Sequence, residues 1–210
     1  MPTMRRPENL ERFIKAYNDT QATLPIWVIF DAHNAFQYDG IETPKHWRRV
    51  SVPAGMRLGD IFNRVFKKYP DEKYYAMVAD DIIPETKGWD LLLEEACLPD
   101  KIAWGWDSIQ NEQLPVHPFI GGNLVRKLGW WAAPGLKHWY VDNVWKGLAD
   151  ALHCGVYRPD IRMRHCHYAN GKAPFDRTYE DQPNHQTDYN NYVKFMQKDF
   201  RKVIDRVKSS

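Results

Sequence analysis

The sequence predicts an α/β fold with a mainly parallel central sheet flanked by helices. Three observations carry this. The short all-apolar run Ile26-Trp27-Val28-Ile29-Phe30 suits a strand buried on both faces of a parallel sheet. Such runs alternate along the chain with amphipathic segments at helical spacing. Two of the runs end in acidic residues, Asp31 and Asp80-Asp81, and ligands of parallel sheets bind beyond the carboxyl ends of the strands.

The elements follow in order. Leu10, Phe13, Ile14 and Tyr17 recur at i, i+3, i+4 and i+7 and predict a helix over 8–19. Pro25 closes the next turn before the strand over 26–30. Residues 32–55, with Pro44, Pro53 and Gly55, read as loop. Leu58, Ile61, Phe62, Val65 and Phe66 predict a second helix, and Tyr74 to Ala79 a second strand. Trp89, Leu92, Leu93 and Ala96 mark a third helix, and Ile102 to Trp106 a third strand. Residues 107–121 read as loop. Helices over 123–128 and 141–152 follow, then a short strand within Tyr157 to His165 and a polar loop over 168–187. Tyr189, Tyr192, Met196, Phe200, Val203 and Val207 share one face of a single C-terminal helix.

Composition narrows the classes. With 210 residues, 43% hydrophobic, the chain can bury one sizeable core. Its 27% charged residues argue against a disordered chain. Lys+Arg is 29 against 27 Asp+Glu, a net charge of +2, which excludes a uniformly basic nucleic-acid surface but leaves a local basic groove open. No apolar run is long enough to span a membrane, and no secretory signal follows Met1 to Pro7. Three widely spaced cysteines, Cys97, Cys154 and Cys166, fit a reducing compartment. The expectation is a soluble, cytoplasmic protein.

Four constellations carry chemistry. Asp80 and Asp81 repel each other unless a cation or donor compensates. A divalent metal on a nucleotide diphosphate is such a compensator, while a turn and helix cap is the equally weighted alternative. His165-Cys166-His167 follows a predicted strand, so both imidazoles can face one site; a pair of surface histidines is the plainer reading. Gly121-Gly122-Asn123 precedes a helix and lets a ligand approach the backbone, although a simple turn explains it equally. Asp142 opens the helix over 141–152 as a cap or as a general base. Trp104, Trp106, Trp130, Trp131 and Trp139 are candidate walls of a binding site, with at least half expected in the core. Arg158, Arg162, Arg164, Lys172 and Arg177 form either a phosphate-contacting rim or a solvated surface.

The order and spacing of these pieces resemble the GT-A glycosyltransferases, the nucleotide-sugar-dependent family-2-like group, and in particular its small bacteriophage-encoded members. The resemblance covers Pro2-Thr3-Met4-Arg5-Arg6-Pro7 to about Asp188. It implies a single Rossmann-like domain with a nucleotide-binding half over 1–106, an acceptor and metal half over 107–187 and a C-terminal helix over 188–210. By the same resemblance Thr3, Arg6, Asp31, Arg57, Asp80, Gly121 and Gly122 bind the nucleotide-sugar. Asp81 and His167, with His165 as the alternative, hold Mn²⁺ or Mg²⁺, and Asp142 is the base of an inverting hexosyl transfer. The implied donor is a UDP-sugar and the acceptor a hydroxyl, with a hydroxymethylated pyrimidine in phage DNA among the candidates. Only Met1 precedes Pro2-Thr3, where the family carries several apolar residues. Two other classes stay open: a nucleotidyltransferase, and a non-catalytic carbohydrate- or nucleic-acid-binding module.

Overall fold

In the computed structural model, which describes residues 1–182 and 184–209, the strands divide between two sheets. The first is parallel and holds β1 (Pro2–Thr3), β2 (Trp27–Asp31) and β3 (Arg48–Val52) in that order. Helix α1 (Pro7–Asp19) links β1 to β2. Pro7 at its first turn costs no helical hydrogen bond. Its stripe of Leu10, Phe13, Ala16 and Tyr17 is buried, and Leu10 and Phe13 each contribute about 1.5–3 kcal/mol by that burial.

The second sheet draws on β4 (Tyr74–Ala76), β5 (Ile82–Pro84), β6 (Ile102–Trp106), β7 (Phe119–Gly121) and β8 (Gly155–His165), in the order β4-β7-β6-β8-β5. Only β6 and β8 run parallel; β4/β7, β6/β7 and β5/β8 are antiparallel. The chain is therefore α/β, but the expected single, mainly parallel sheet is two sheets, one of them mixed. The connections explain why. A parallel neighbour needs a long crossover, usually a helix. Between β6 and β7 the chain has only a short 3₁₀ turn, Asn111–Gln113, so it returns antiparallel.

Helices α2 (Leu58–Lys68), α3 (Trp89–Cys97), α4 (Gly122–Leu128) and α5 (Val141–Leu152) lie close to their expected bounds. The stretch 32–55 contains β3, whose Arg48-Arg49-Val50-Ser51-Val52 is largely exposed and lacks an apolar run. The stretch 107–121 contains the three-residue β7, and 168–187 contains the short helix α6 (Arg177–Glu180). The single C-terminal helix is two, α7 (His185–Lys198) and α8 (Phe200–Ser209), broken at Asp199.

Alternation along the strands sends side chains to opposite faces of the second sheet. Ile102, Trp104 and Ile120 join a core under α4, α5, α7 and α8 with Trp145 and Leu148. Ala103 and Phe119 face α3 and α1, where Trp89, Leu93 and Phe13 complete a second core. This second core also takes in Val28 and Phe30, so it spans both sheets. Trp104, Trp130 and Trp131 are buried in the first core, as the plainer reading of the tryptophans expected. Among the described residues no helix is long and apolar enough to cross a membrane.

Candidate functional site

The paired aspartates sit where the two sheets meet. β1 ends at Thr3, β4 ends just before Met77, and the chain then carries Asp80 and Asp81 into β5. Thr3 Oγ1 donates to Asp80 Oδ2 at 2.6 Å and also contacts the Tyr38 hydroxyl at 2.8 Å. Both aspartates are buried, and the buried Arg6 guanidinium lies 3.8 Å from Asp80 Oδ1 and 3.8 Å from Asp81 Oδ2.

Strand pairing brings His165 to the same place. Ile82 pairs with His165 across β5 and β8, and the Cys166 N–H donates to the Asp81 carbonyl at 2.7 Å. His165 Nε2 therefore lies 3.4 Å from Asp81 Oδ2, while its Nδ1 lies 3.8 Å from Asp107 Oδ2, too long for a hydrogen bond. Asp107 directly follows β6 and is buried; its Oδ1 accepts the N–H groups of Ile109, Gln110 and Asn111. The buried His117 ring stands edge-on to His165 at 4.9 Å between centroids.

The electrostatics divide these groups. Burial and the adjacent Asp81 push Asp80 above the usual carboxylate range. Burial also acts to raise Asp81, but the His165 hydrogen bond and charge outweigh it and hold Asp81 below that range. Burial opposes the imidazolium of His165, yet Asp107 and Asp81 raise it to about 9. Burial lowers His117 to about 4, so its ring is neutral. Asp81 and Asp107 carry negative charge here; Arg6 and His165 are the cations, and Arg6 also serves Asp176. Asp81 Oδ1 and the outer oxygen of Asp107, Oδ2, are buried without a hydrogen-bond partner.

The other expected site residues fall in three groups. Asp31 lies on the same sheet edge as Thr3, one residue beyond the Thr3–Phe30 pairing. Its two oxygens accept the His33 and Gly55 N–H groups at 2.8 Å each, so it shapes the turn after β2. Arg57 precedes α2 and donates to the Asp181 carbonyl at 2.9 Å. Asp142 lies in the first turn of α5, half-buried. Burial pushes it up to about 6, against the Asn143 N–H that donates to it and the charge of His165.

His167 packs beside the cluster, its ring 5.3 Å from that of His165 and 4.9 Å from that of Tyr179. Its Nδ1 accepts the Ala169 N–H at 3.1 Å, which places the ring proton on Nε2. Burial, followed by the charge of His165, lowers its pKa and keeps it neutral.

Gly121 and Gly122 lie apart from the aspartates. Gly121 pairs with Tyr74, at the start of β4, so the two glycines occupy the opposite edge of the sheet. A Cβ on Gly121 would strike the backbone of Pro99 and Asp100, and one on Gly122 the Glu72 carbonyl. In this fold both glycines allow close packing of backbone.

Besides His117, three residues beyond those expected from the sequence bear on the cluster. Asp176 pairs with Arg6 through two hydrogen bonds of 2.8 and 2.9 Å. Tyr179 lies under the Arg6 guanidinium at 4.2 Å, with its hydroxyl 3.5 Å from Asp81 Oδ2. Asp107 is the third. Left-handed backbone recurs beside candidate groups: Arg5 precedes Arg6, Ser108 follows Asp107, and Tyr140 lies two residues before Asp142. Strain of this kind gathers at functional sites.

Among the described residues no group of three or more His, Cys, Asp or Glu is arranged to hold a metal ion. A hard cation on a diphosphate needs fewer, since one or two carboxylates suffice with phosphate oxygens and water. The partnerless Asp81 Oδ1 fits that requirement. Much of the basic rim is neutralised within the chain: Arg162 and Arg164 pair with Glu85, and Arg158 pairs with Asp160. No family model matches the chain, and no curated protein matches it.

Proposed function

We propose that the chain is a glycosyltransferase of GT-A type that moves a sugar from a UDP-sugar to an acceptor hydroxyl. The observation that carries this reading is Asp81 Oδ1, a buried, ionised carboxylate oxygen with no hydrogen-bond partner beside a second carboxylate. Burying an unpartnered charged oxygen is costly, and a cation with its anionic ligand offsets that cost. Asp81 is the ligand for Mn²⁺ or Mg²⁺, and His167 joins it through Nε2 once its ring proton moves to Nδ1 and the Ala169 N–H is released. The metal supplies charge neutralisation at the departing nucleoside diphosphate.

The chain's own groups do the rest. Arg6 and Arg57 hold the phosphates, and Thr3, Asp31 and Asp80 hold the nucleoside. Asp142, raised toward neutral pH, takes the proton of the acceptor hydroxyl and inverts the anomeric centre if it lies opposite the leaving group. For the acceptor, a hydroxymethylated pyrimidine in phage DNA is the candidate that salt dependence tests. A DNA acceptor gives activity that falls steeply with added salt.

Product analysis tests the class of reaction. Incubation with UDP-sugars and Mn²⁺ is expected to release UDP. Release of pyrophosphate from a nucleoside triphosphate points instead to a nucleotidyltransferase. Binding unchanged by Asp81→Ala, with no turnover, points to a non-catalytic module.

A further inference from the structure

Three arginines, of which Arg6 lies against the paired aspartates, meet one short segment of the chain. Asp176 grips Arg6 through both of its carboxylate oxygens. The Asp181 carboxylate pairs with Arg5, and the Asp181 carbonyl accepts from Arg57 at 2.9 Å. Between them Tyr179 stacks on Arg6, and Thr178 Oγ1 donates to the Met4 carbonyl at 3.0 Å. Carboxylate and phosphate oxygens engage a guanidinium fork in the same way. The segment thus presents to Arg5 and Arg6 the chemistry that a diphosphate presents.

We propose that residues 176–181 are a built-in occupant of the anion site, displaced when the diphosphate of a nucleotide-sugar takes Arg5, Arg6 and Arg57. This rests on the donor reading above. The attachment suits release. The helix at its centre, α6, is four residues long, and the Asp176 and Asp181 side chains keep 34% and 41% of their exposure, so water reaches both ion pairs. Phe175, at its amino end, is exposed. Tyr179 is the one buried side chain of the segment, and a short helix with exposed ends lies toward the low-stability end of a fold. Apparent affinity for the diphosphate is then reduced by the fraction of molecules in which the segment covers the arginines.

The test uses Asp176→Asn. Asparagine caps a helix as well as aspartate, so the Thr178 and Tyr179 N–H groups stay satisfied while the charge on Arg6 is lost. With Mn²⁺ present throughout, UDP and inorganic pyrophosphate are titrated calorimetrically into both proteins, and wild type is digested with trypsin with and without UDP. The expected results are binding about tenfold tighter in Asp176→Asn, and several-fold faster cleavage after Lys172 and Arg177 in UDP-bound wild type. UDP binding with no gain in Asp176→Asn, or with cleavage no faster, overturns the displaced segment and leaves the donor reading standing. Absence of UDP and pyrophosphate binding in both proteins overturns both.

Discussion

Thr3 Oγ1 donates a 2.6 Å hydrogen bond to Asp80 Oδ2, and through it the end of the parallel sheet is tied to the first of the paired aspartates. The bond joins residues 77 positions apart in the chain, at the rims of two different sheets. Thr3→Val keeps the shape and removes the donor. A buried acceptor left unpaired costs about 1–3 kcal/mol. Urea denaturation is expected to show that loss in Thr3→Val and to show most of it restored in Thr3→Ser.

His165 gives the fold a pH dependence whose sign is fixed. Its pKa is raised from the ordinary 6.5 to about 9, so its stabilising charge is fully present below 6.5 and is lost as pH rises through 9. Asp80, raised to about 7, acts mainly below this window, and the Met1 amino group, lowered by burial from 8.0 to about 5, acts with the opposite sign up to pH 8, so the His165 contribution is read as a difference between two proteins. The linkage is worth about 3 kcal/mol. The stability of wild type relative to His165→Gln, read from urea midpoints, is expected to fall between pH 6.5 and 9. A difference that stays constant over that interval contradicts the Asp81–His165–Asp107 arrangement.

Gly122 separates the packing role from the donor-loop role. A Cβ there meets the Glu72 carbonyl, so Gly122→Ala is expected to cost about 1–3 kcal/mol by overpacking. UDP affinity, measured at a temperature where both proteins are folded, is expected to stay within twofold of wild type. A large loss of UDP affinity without a loss of stability returns the glycine pair to the site.

Asp188 positions the approach to Asp142. It is buried on α7 and accepts the N–H groups of Lys137, His138 and Trp139 at 2.8–3.0 Å. Asp188→Ala strands these donors and is expected to cost at least about 2 kcal/mol. Amide exchange at 137–139 is expected to quicken more than at β6. Uniform exchange across the chain contradicts this local role.

Much of this was legible in the sequence. Five helices and the strand 102–106 followed from apolar spacing, because their faces are packed on both sides of a sheet. The acidic strand ends were legible for the same reason, and Asp80, Asp81 and Thr3 do converge. Asp107 directly follows β6 and is, like Asp31, an acidic residue at a strand end, so it too is legible in the sequence. β3 was hidden because one polar face meets solvent, and β5 and β7 because three residues carry no period. Asp176 and Tyr179 were hidden in a polar loop: their partner, Arg6, lies about 170 residues away, and no local pattern encodes such a pairing.

The central claim is that Asp81 receives the cation of a bound nucleotide-sugar. Calorimetric titration of UDP-sugars into wild type and Asp81→Asn, with and without Mn²⁺, tests it most directly. The account predicts binding in wild type that depends on Mn²⁺ and a loss of at least about tenfold, or 1.4 kcal/mol, in Asp81→Asn. UDP-sugar binding that is equal in the two proteins and indifferent to the metal contradicts it.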